Sequence, residues 1–393
     1  FNSFIGAFQF TYFQLTHGGT AWVLPLALGF LAWKVWVYYI NAEYLRGLKW
    51  TLIEVRLPKE IRRSPLAMEI VLNSFHQTGK QAGLYKKYWL GNLRPTFSLE
   101  IVSIEGKVHF FIRTAVEHRN TLESYIYAQY PEAEITEVPD YAKQTMYERG
   151  GPFFMFGMEY VLTKPDPYPI RTYIDYGMDK SLKEEEKIDP ITPTIEFMGS
   201  LKKGEQFWVQ IMVRATMSRF PLPGKWFKIG DWKDEAKEEI KKIKEEATDA
   251  EGRFNTNLLT PGQKNIIEAL ERNTNKIGFD VGIRSIYIAK RDAFRVGNIS
   301  AQTNMLKQYN STDLNGFKTA YVTSADDYPW NEYLGIRKGG LPYINFSIKE
   351  SEKLKAKIFD SYRRRGYFYP PRPHKPFVLS SEELATIYHF PGG

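Results

Sequence analysis

The hydrophobic pattern begins with one long apolar stretch and then changes to alternating strand-like and helix-like segments. Residues 21–40 read AWVLPLALGFLAWKVWVYYI, and Lys34 is the one charged residue among them. A helix of this length spans roughly 30 Å, which matches the hydrocarbon core of a bilayer. The pattern therefore predicts a transmembrane helix over about residues 21–40.

Aromatic side chains and one lysine gather in the predicted span as they do at a membrane–water interface. The predicted anchor residues are Trp22, Trp33, Lys34, Trp36, Tyr38 and Tyr39. Residues 1–33 carry no charge, whereas basic residues such as Arg46 and Lys49 follow the span. The positive-inside rule then places the bulk of the chain on the cytoplasmic side of the inner membrane. A buried core helix or an uncleaved signal sequence is the alternative.

Residues 49–145, after the anchor of residues 1–48, alternate strand and helix signals in a recognisable order. The segment TLIEVRL alternates as a strand does, and Ser64-Pro65 supplies a cap and a first-turn proline for a helix. Glu105-Gly106 marks a hairpin between two further strands. A second helix ends at Pro131, and AEITEV forms the last strand. The order β-α-β-β-α-β predicts a ferredoxin-like module.

Residues 146–348 predict a looser second copy of the same module, so the predicted fold class is α+β. Strands are predicted at 205–215 and 277–290, and Thr260-Pro261 begins a helix. A charged segment at 231–252 is inserted between them, with apolar residues at three- and four-residue steps. It predicts either a solvated surface helix or a protruding helix paired with residues 263–273 or with another subunit.

Composition limits the chemistry of the chain more than it defines it. The 393 residues include no cysteine, which excludes disulfides and thiolate metal sites. The chain lacks a P-loop sequence, and its six histidines lack metal-ligand spacing with a carboxylate. Glu54 and Glu100 interrupt apolar strands, and alternation favours a solvated or interface face for them over acid–base catalysis. No catalytic, cofactor-binding or metal-binding residue is predicted.

The formal net charge of +8 and one basic, aromatic run raise the question of nucleic acid. The run YRRRGYFYPPRPHKP lies in the predicted C-terminal region of residues 349–393. Cations for phosphate and rings for base stacking suit single-stranded DNA. The candidate contacts are Arg363, Arg364, Arg365, Tyr367, Arg372 and Lys375. A proline-stiffened linker packed along a neighbouring domain is the favoured alternative.

Several motifs together resemble one family. RSPLAMEIVLNSFHQTG, LESYIYAQYPEAEITEVPDY, LTPGQKNIIEALERNTNKIGFDVGIRSIYIA and the terminal LSSEELATIYHFPG are similar to the region before the motor in membrane-anchored type IV secretion and conjugative DNA-transfer ATPases. YAQYP and EELATIYHFP are the more specific motifs.

The resemblance implies a translocation-machine component that positions a P-loop ATPase, as a domain after Gly393 or as a partner subunit. It further implies self-association, with a hexamer as the expected form, and a lipid membrane as partner. ATP and magnesium would belong only to such an ATPase. The residues expected at the motor junction are Glu382, Glu383, His389, Phe390 and Pro391. An oligomeric membrane scaffold or filament without a motor, or a single-stranded-DNA-binding adaptor, is the alternative.

Overall fold

The computed structural model describes residues 23–58, 63–77, 83–148, 150–180, 188–217, 220–221, 229–247, 255–323, 347–369 and 374–391. Helices α1 to α11 are Val23–Gly47, Pro65–Asn73, Leu84–Tyr88, Val116–Gln129, Tyr141–Gln144, Thr192–Gly199, Trp232–Glu246, Pro261–Thr274, Gly297–Asn304, Ser347–Arg363 and Ser381–Ile387. Strands β1 to β11 are Trp50–Arg56, Phe97–Ile104, Lys107–Ala115, Glu134–Glu137, Phe153–Leu162, Glu205–Ala215, Phe220–Pro221, Ile229–Gly230, Gly278–Lys290, Phe317–Ala320 and Phe377–Ser380.

Nine of the described strands form one sheet, and every described strand pair in it is antiparallel. The order is β10-β5-β9-β6-β2-β3-β1-β4, and β11 pairs with the beginning of β9. β2 and β6 join the two halves, from Phe97 opposite Val213 to Ile104 opposite Gln206. Strands of both predicted modules therefore lie in a single sheet. The predicted α+β class is confirmed.

Local sequence signals account for several boundaries of these elements. The Ser64 side chain accepts a hydrogen bond from the Leu66 amide, and Pro65 opens α2. Glu105 and Gly106 have φ values of 54° and 82°, and these left-handed conformations make the tight turn between β2 and β3. Thr260 and Gln263 form a capping box at the start of α8. Each of these three predictions is confirmed.

The charged insertion is a helix that packs on its neighbour. α7 begins at a capping box of Asp231 and Asp234, and its apolar side contributes Ile240 to a cluster with Ile267 and Leu270 of α8. Its polar side carries lysines and glutamates of mixed order. The predicted pairing with residues 263–273 is confirmed, and residues 248–252 of the predicted insertion lie outside the described residues.

The sheet has two buried faces of different character, because successive side chains in a strand point to opposite sides. One face carries the main apolar core and is covered by helices that include α2, α4 and α11. The other face is covered by residues 347–369, which we call the strap; its helix α10 packs Phe359 and Tyr362 against Trp208 of β6. Glu54 and Glu100 lie on this second face and are buried. Of the predicted solvated or interface face, the solvated form is therefore wrong. The strap and α5 contact Glu100 through Arg365 and Tyr141, whereas Glu54 is paired with Arg56 and His109.

The chain divides into two compact units. One contains α1 and α3, and the other contains the sheet with its helices. The sequence placed residues 84–88 in the first ferredoxin-like module, but they group with the N-terminal helix instead.

Candidate functional site

The N-terminal helix is the one described helix that is long and apolar enough to cross a membrane. α1 has 25 residues; its most apolar 18-residue window has a mean hydropathy of 1.6 and is 6% buried. The predicted anchor residues Trp33, Lys34, Trp36, Tyr38 and Tyr39 lie on α1 and are exposed. Trp22 lies outside the described residues. The length of its exposed aliphatic and aromatic surface separates α1 from helices such as α2, α4 and α11, whose apolar sides pack in the main core.

A short helix that sequence reasoning missed packs on α1. The rings of Trp33 and Tyr88 lie 5.4 Å apart, and the Trp36 indole donates a hydrogen bond of 2.9 Å to the Tyr88 carbonyl. A side chain at Gly91 would overlap the carbonyl of Ile40, so glycine permits this close approach. The signal that could have revealed α3 is LYKKYWL, residues 84–90, where aromatic residues flank two lysines.

The predicted nucleic-acid run contributes an ion-pair cluster on the second face of the sheet. Arg365 is buried and contacts Glu100 through Nε and Nη2 at 2.9 and 3.0 Å. It also contacts Asp140 at 2.6 and 2.9 Å. The Tyr141 hydroxyl donates to Glu100 at 2.7 Å. Its oxygen is also 2.7 Å from that of Tyr362. These contacts join the strap to β2 and to α5.

Burial and ion pairing act in opposite directions on the pKa values of Glu100 and Arg365. Burial alone would raise the pKa of Glu100, but the charge and hydrogen bonds of Arg365, with those of Ser98 and Tyr141, lower it. Burial opposes the positive charge of Arg365, yet Glu100 and Asp140 raise its pKa well above the usual value. Both groups are therefore ionised and paired at neutral pH, which suits a structural lock.

The other predicted nucleic-acid residues have different surroundings. Tyr367 is buried, and its ring fills the space beside Gly282 of β9. Arg364 is exposed and pairs with Asp360 at 2.7 Å. Arg363 is partly exposed, Lys375 is exposed, and Arg372 lies outside the described residues. Arg365 and Tyr367 are thus committed to contacts within the chain, and the five described residues of this set do not form one open surface.

A second set of buried polar residues lies between the strap and β5. Glu159 accepts from His374 at 3.0 Å and lies 3.8 Å from Arg284. Arg284 donates to the Gly366 carbonyl at 2.9 Å. Burial lowers the pKa of Arg284, and Glu159 partly opposes that effect. The ion pairs of Arg365 and the hydrogen bond from Arg284 to Gly366 therefore join the strap to the sheet at two places.

The expected motor junction is built into the main core. β11 pairs with β9, and the Ser380 hydroxyl and the Glu383 carboxylate form a capping box at α11. Glu383 also accepts a hydrogen bond of 2.9 Å from the Ile170 amide. Burial raises the pKa of Glu383 to about 7 despite these bonds. The capped helix predicted from SSEELATIYHFPGG is confirmed.

The neighbouring junction residues are equally enclosed. Glu382 accepts from the Thr172 hydroxyl at 2.7 Å and lies 3.3 Å from Arg272. The ring of His389 contacts Asp189 at 3.0 Å, and the ring of Phe390 packs edge-on against Tyr130 and Phe110. Pro391 is partly exposed. These contacts anchor the segment to several elements of the domain.

The described residues contain no group of three or more His, Asp or Glu side chains that could hold a metal ion. In the strap clusters, Glu100 and Arg365 compensate each other within the fold. The ion pair therefore fixes the position of the strap on the sheet.

The fold and these features define an α+β protein with one long apolar helix near its N-terminus. Residues 39–333 match the family model described as "Domain of unknown function (DUF8128)", and the chain belongs to this family. A search of curated proteins finds no match.

Proposed function

We propose that this chain is a membrane-anchored component of a translocation machine of the type IV secretion or conjugation kind. Its α1 helix spans the inner membrane, and its α+β part lies on the cytoplasmic side. There it seats a P-loop ATPase, present as a following domain or as a partner subunit, within a homo-oligomer that is hexameric. The motifs quoted above support the assignment to this class of machine.

The observation that carries the membrane part of the proposal is the surface of α1. A 25-residue helix extends about 37 Å at 1.5 Å per residue, which exceeds the thickness of a bilayer core of about 30 Å. Its apolar side chains, including Leu26 and Phe30, are exposed. A soluble protein rarely leaves so much contiguous apolar surface in water. The hydrocarbon core of a bilayer would bury this apolar surface. Arg46 at the C-terminal end of α1 agrees with a cytoplasmic position of that end.

The architectural part of the proposal is that two ferredoxin-like units are fused edge to edge. In the first half the strands follow the order β4-β1-β3-β2, and in the second half β10-β5-β9-β6. Each order is fourth, first, third, second strand, which is the arrangement of a split β-α-β unit with antiparallel neighbours. β2 and β6 provide the pairing between the units. This continuous sheet supports a role as a rigid platform.

The junction residues support the coupling of a motor to this platform. Because Glu382, Glu383 and Phe390 contact separate parts of the core, a force applied at this segment would be passed to the whole sheet. A loosely attached linker would instead absorb such a force. The proposal therefore assigns rigid attachment to residues 377–391.

Purification of the full chain from native membranes in mild detergent tests the proposal. We expect a ring-shaped oligomer by electron microscopy, together with ATP hydrolysis from a P-loop domain or subunit in the same particle. A Glu382→Ala and Phe390→Ala variant should retain membrane attachment but lose an ATPase partner subunit from the particle, or lose ATP-driven activity where the ATPase is a following domain. A monomer, a fibre or a lattice without an ATPase would contradict the proposal.

A further inference from the structure

The short helix beside α1 leaves a strongly apolar and cationic surface exposed. The side chains of Leu84, Tyr85, Trp89 and Leu90 are 77%, 65%, 58% and 49% exposed. Lys86 lies among them and is also exposed. The sequence from Gly83 to Leu93 contains two lysines and no acidic residue. This mixture of aromatic, aliphatic and cationic side chains is typical of segments that lie at a membrane surface.

The contacts of α3 with α1 fix the depth at which this surface would lie. Trp33 and Trp36, which contact α3, flank Lys34, the first charged residue of the chain. Charged side chains avoid the centre of a bilayer, and tryptophan favours the headgroup region. Residues 33–36 lie four to seven residues before the end of the predicted span at residue 40, and Gly91 lies against Ile40 itself. The part of α1 that holds α3 therefore lies in the cytoplasmic half of the bilayer, within about 10 Å of the headgroups.

We propose that residues 83–93 form an interfacial element that binds anionic phospholipid headgroups beside the membrane helix. The proposal rests on the proposed function, which places α1 in a bilayer. Lys86 and Lys87 contact lipid phosphates and carboxylates, while Leu84, Trp89 and Leu90 enter the upper acyl region. The surface continues directly from α1, and its charge is complementary to the cytoplasmic leaflet.

The absence of native cysteine allows a direct measurement of depth in the full chain. A nitroxide is attached to Leu84→Cys, with Leu28→Cys of α1 and Lys237→Cys of α7 as the acyl and water references. The protein is reconstituted in phosphatidylcholine vesicles with or without phosphatidylserine. Accessibility to oxygen and to a water-soluble nickel complex then reports the depth of each label.

With phosphatidylserine present, we expect the label at position 84 to lie between the two references. The double substitution Lys86→Glu and Lys87→Glu should move it toward the water reference, since each lysine near an anionic surface changes partitioning roughly fivefold. The matched reversal Lys237→Glu and Lys241→Glu, at two exposed positions of α7, should leave the label unchanged.

Three results would overturn the inference while leaving the anchor intact. They are a label at position 84 that matches the water reference, one that neither probe reaches because protein covers it, and one whose depth is independent of phosphatidylserine and of both lysines. A label at Leu28→Cys that reads as water would instead overturn the membrane span itself, and the inference with it.

Discussion

The guanidinium of Arg365, a residue of the strap, binds the carboxylates of Glu100 and Asp140. Arg365→Ala would leave the Glu100 charge buried without its cation. We expect the free energy of unfolding to fall by about 3–5 kcal/mol, the usual effect of breaking a buried ion pair. Chemical denaturation of the detergent-solubilised chain measures this change.

The matched control for this substitution is its neighbour. Arg364→Ala removes an exposed pair with Asp360 and should change the free energy of unfolding by less than about 1 kcal/mol. Equal effects at the two positions would show that the buried pairs do not hold the strap.

The raised pKa of Glu383 predicts a specific pH dependence of stability. Burial raises the pKa of this carboxyl from 4.5 to about 7, so the folded state retains a proton that the unfolded state releases. The Glu383 contribution therefore favours the fold below about pH 4.5, is lost progressively as the pH rises toward 7, and stays lost above it. Relative to Glu383→Gln, which cannot titrate, the native chain should lose about 3 kcal/mol of stability between pH 4.5 and pH 8. Thermal unfolding of both proteins across this range measures the difference, and parallel curves would contradict the assigned pKa.

At the scale of elements, the packing of the strap against β9 depends on one glycine, Gly282. A side chain at Gly282 would overlap the ring of Tyr367. Gly282→Ala should therefore destabilise the chain by about 1–3 kcal/mol through overpacking. Proteolysis within the strap should become faster, because the Tyr367 ring can no longer occupy the space beside residue 282.

A glycine with free space around it provides the comparison. Gly262 lies in α8, and a β-carbon added there would meet no other atom within 4 Å. Gly262→Ala should be neutral or stabilising by up to about 1 kcal/mol, because alanine favours the helix. Tyr367→Leu in the Gly282→Ala background should restore stability if overlap with the ring causes the destabilisation. A further loss of stability in the double variant would show that the overlap is not the cause.

The elements that the sequence predicted well have signals within a few residues of each other. The caps at Ser64, Thr260 and Ser380 and the turn at Glu105 belong to this group, and each needs only its local neighbours. The α3 helix has five residues, too few to show a helical period, and was missed for that reason.

The strap could not be assigned from sequence because its partners are distant. A run of arginines and tyrosines has the composition of a nucleic-acid surface, and only the fold shows that Arg365 meets Glu100, 265 residues away. The burial of Glu100 could not be predicted for the same reason. The alternation of its strand indicates a polar face but does not show which distant segment covers that face. Long-range pairing of charges leaves no periodic trace in the chain.

At the scale of the whole molecule, the account combines an apolar helix with a continuous α+β sheet. In the function proposed above, the helix holds the protein in a membrane and the sheet is the surface on which it assembles. The double substitution Leu24→Arg and Leu28→Arg should disfavour insertion of α1 and leave the sheet folded. An arginine near the centre of a membrane helix costs roughly 3 kcal/mol, and one near its end costs less. Substitutions at exposed α7 positions such as Lys237→Ala should leave membrane attachment unchanged.

Alkaline extraction followed by flotation of membranes that contain the full chain tests the central claim most directly. The account predicts that the uncleaved protein floats with the lipid after extraction and that the Leu24→Arg and Leu28→Arg protein stays in the soluble fraction. Recovery of the unmodified chain in the soluble fraction, or its cleavage after α1 with release of the sheet, would contradict the account.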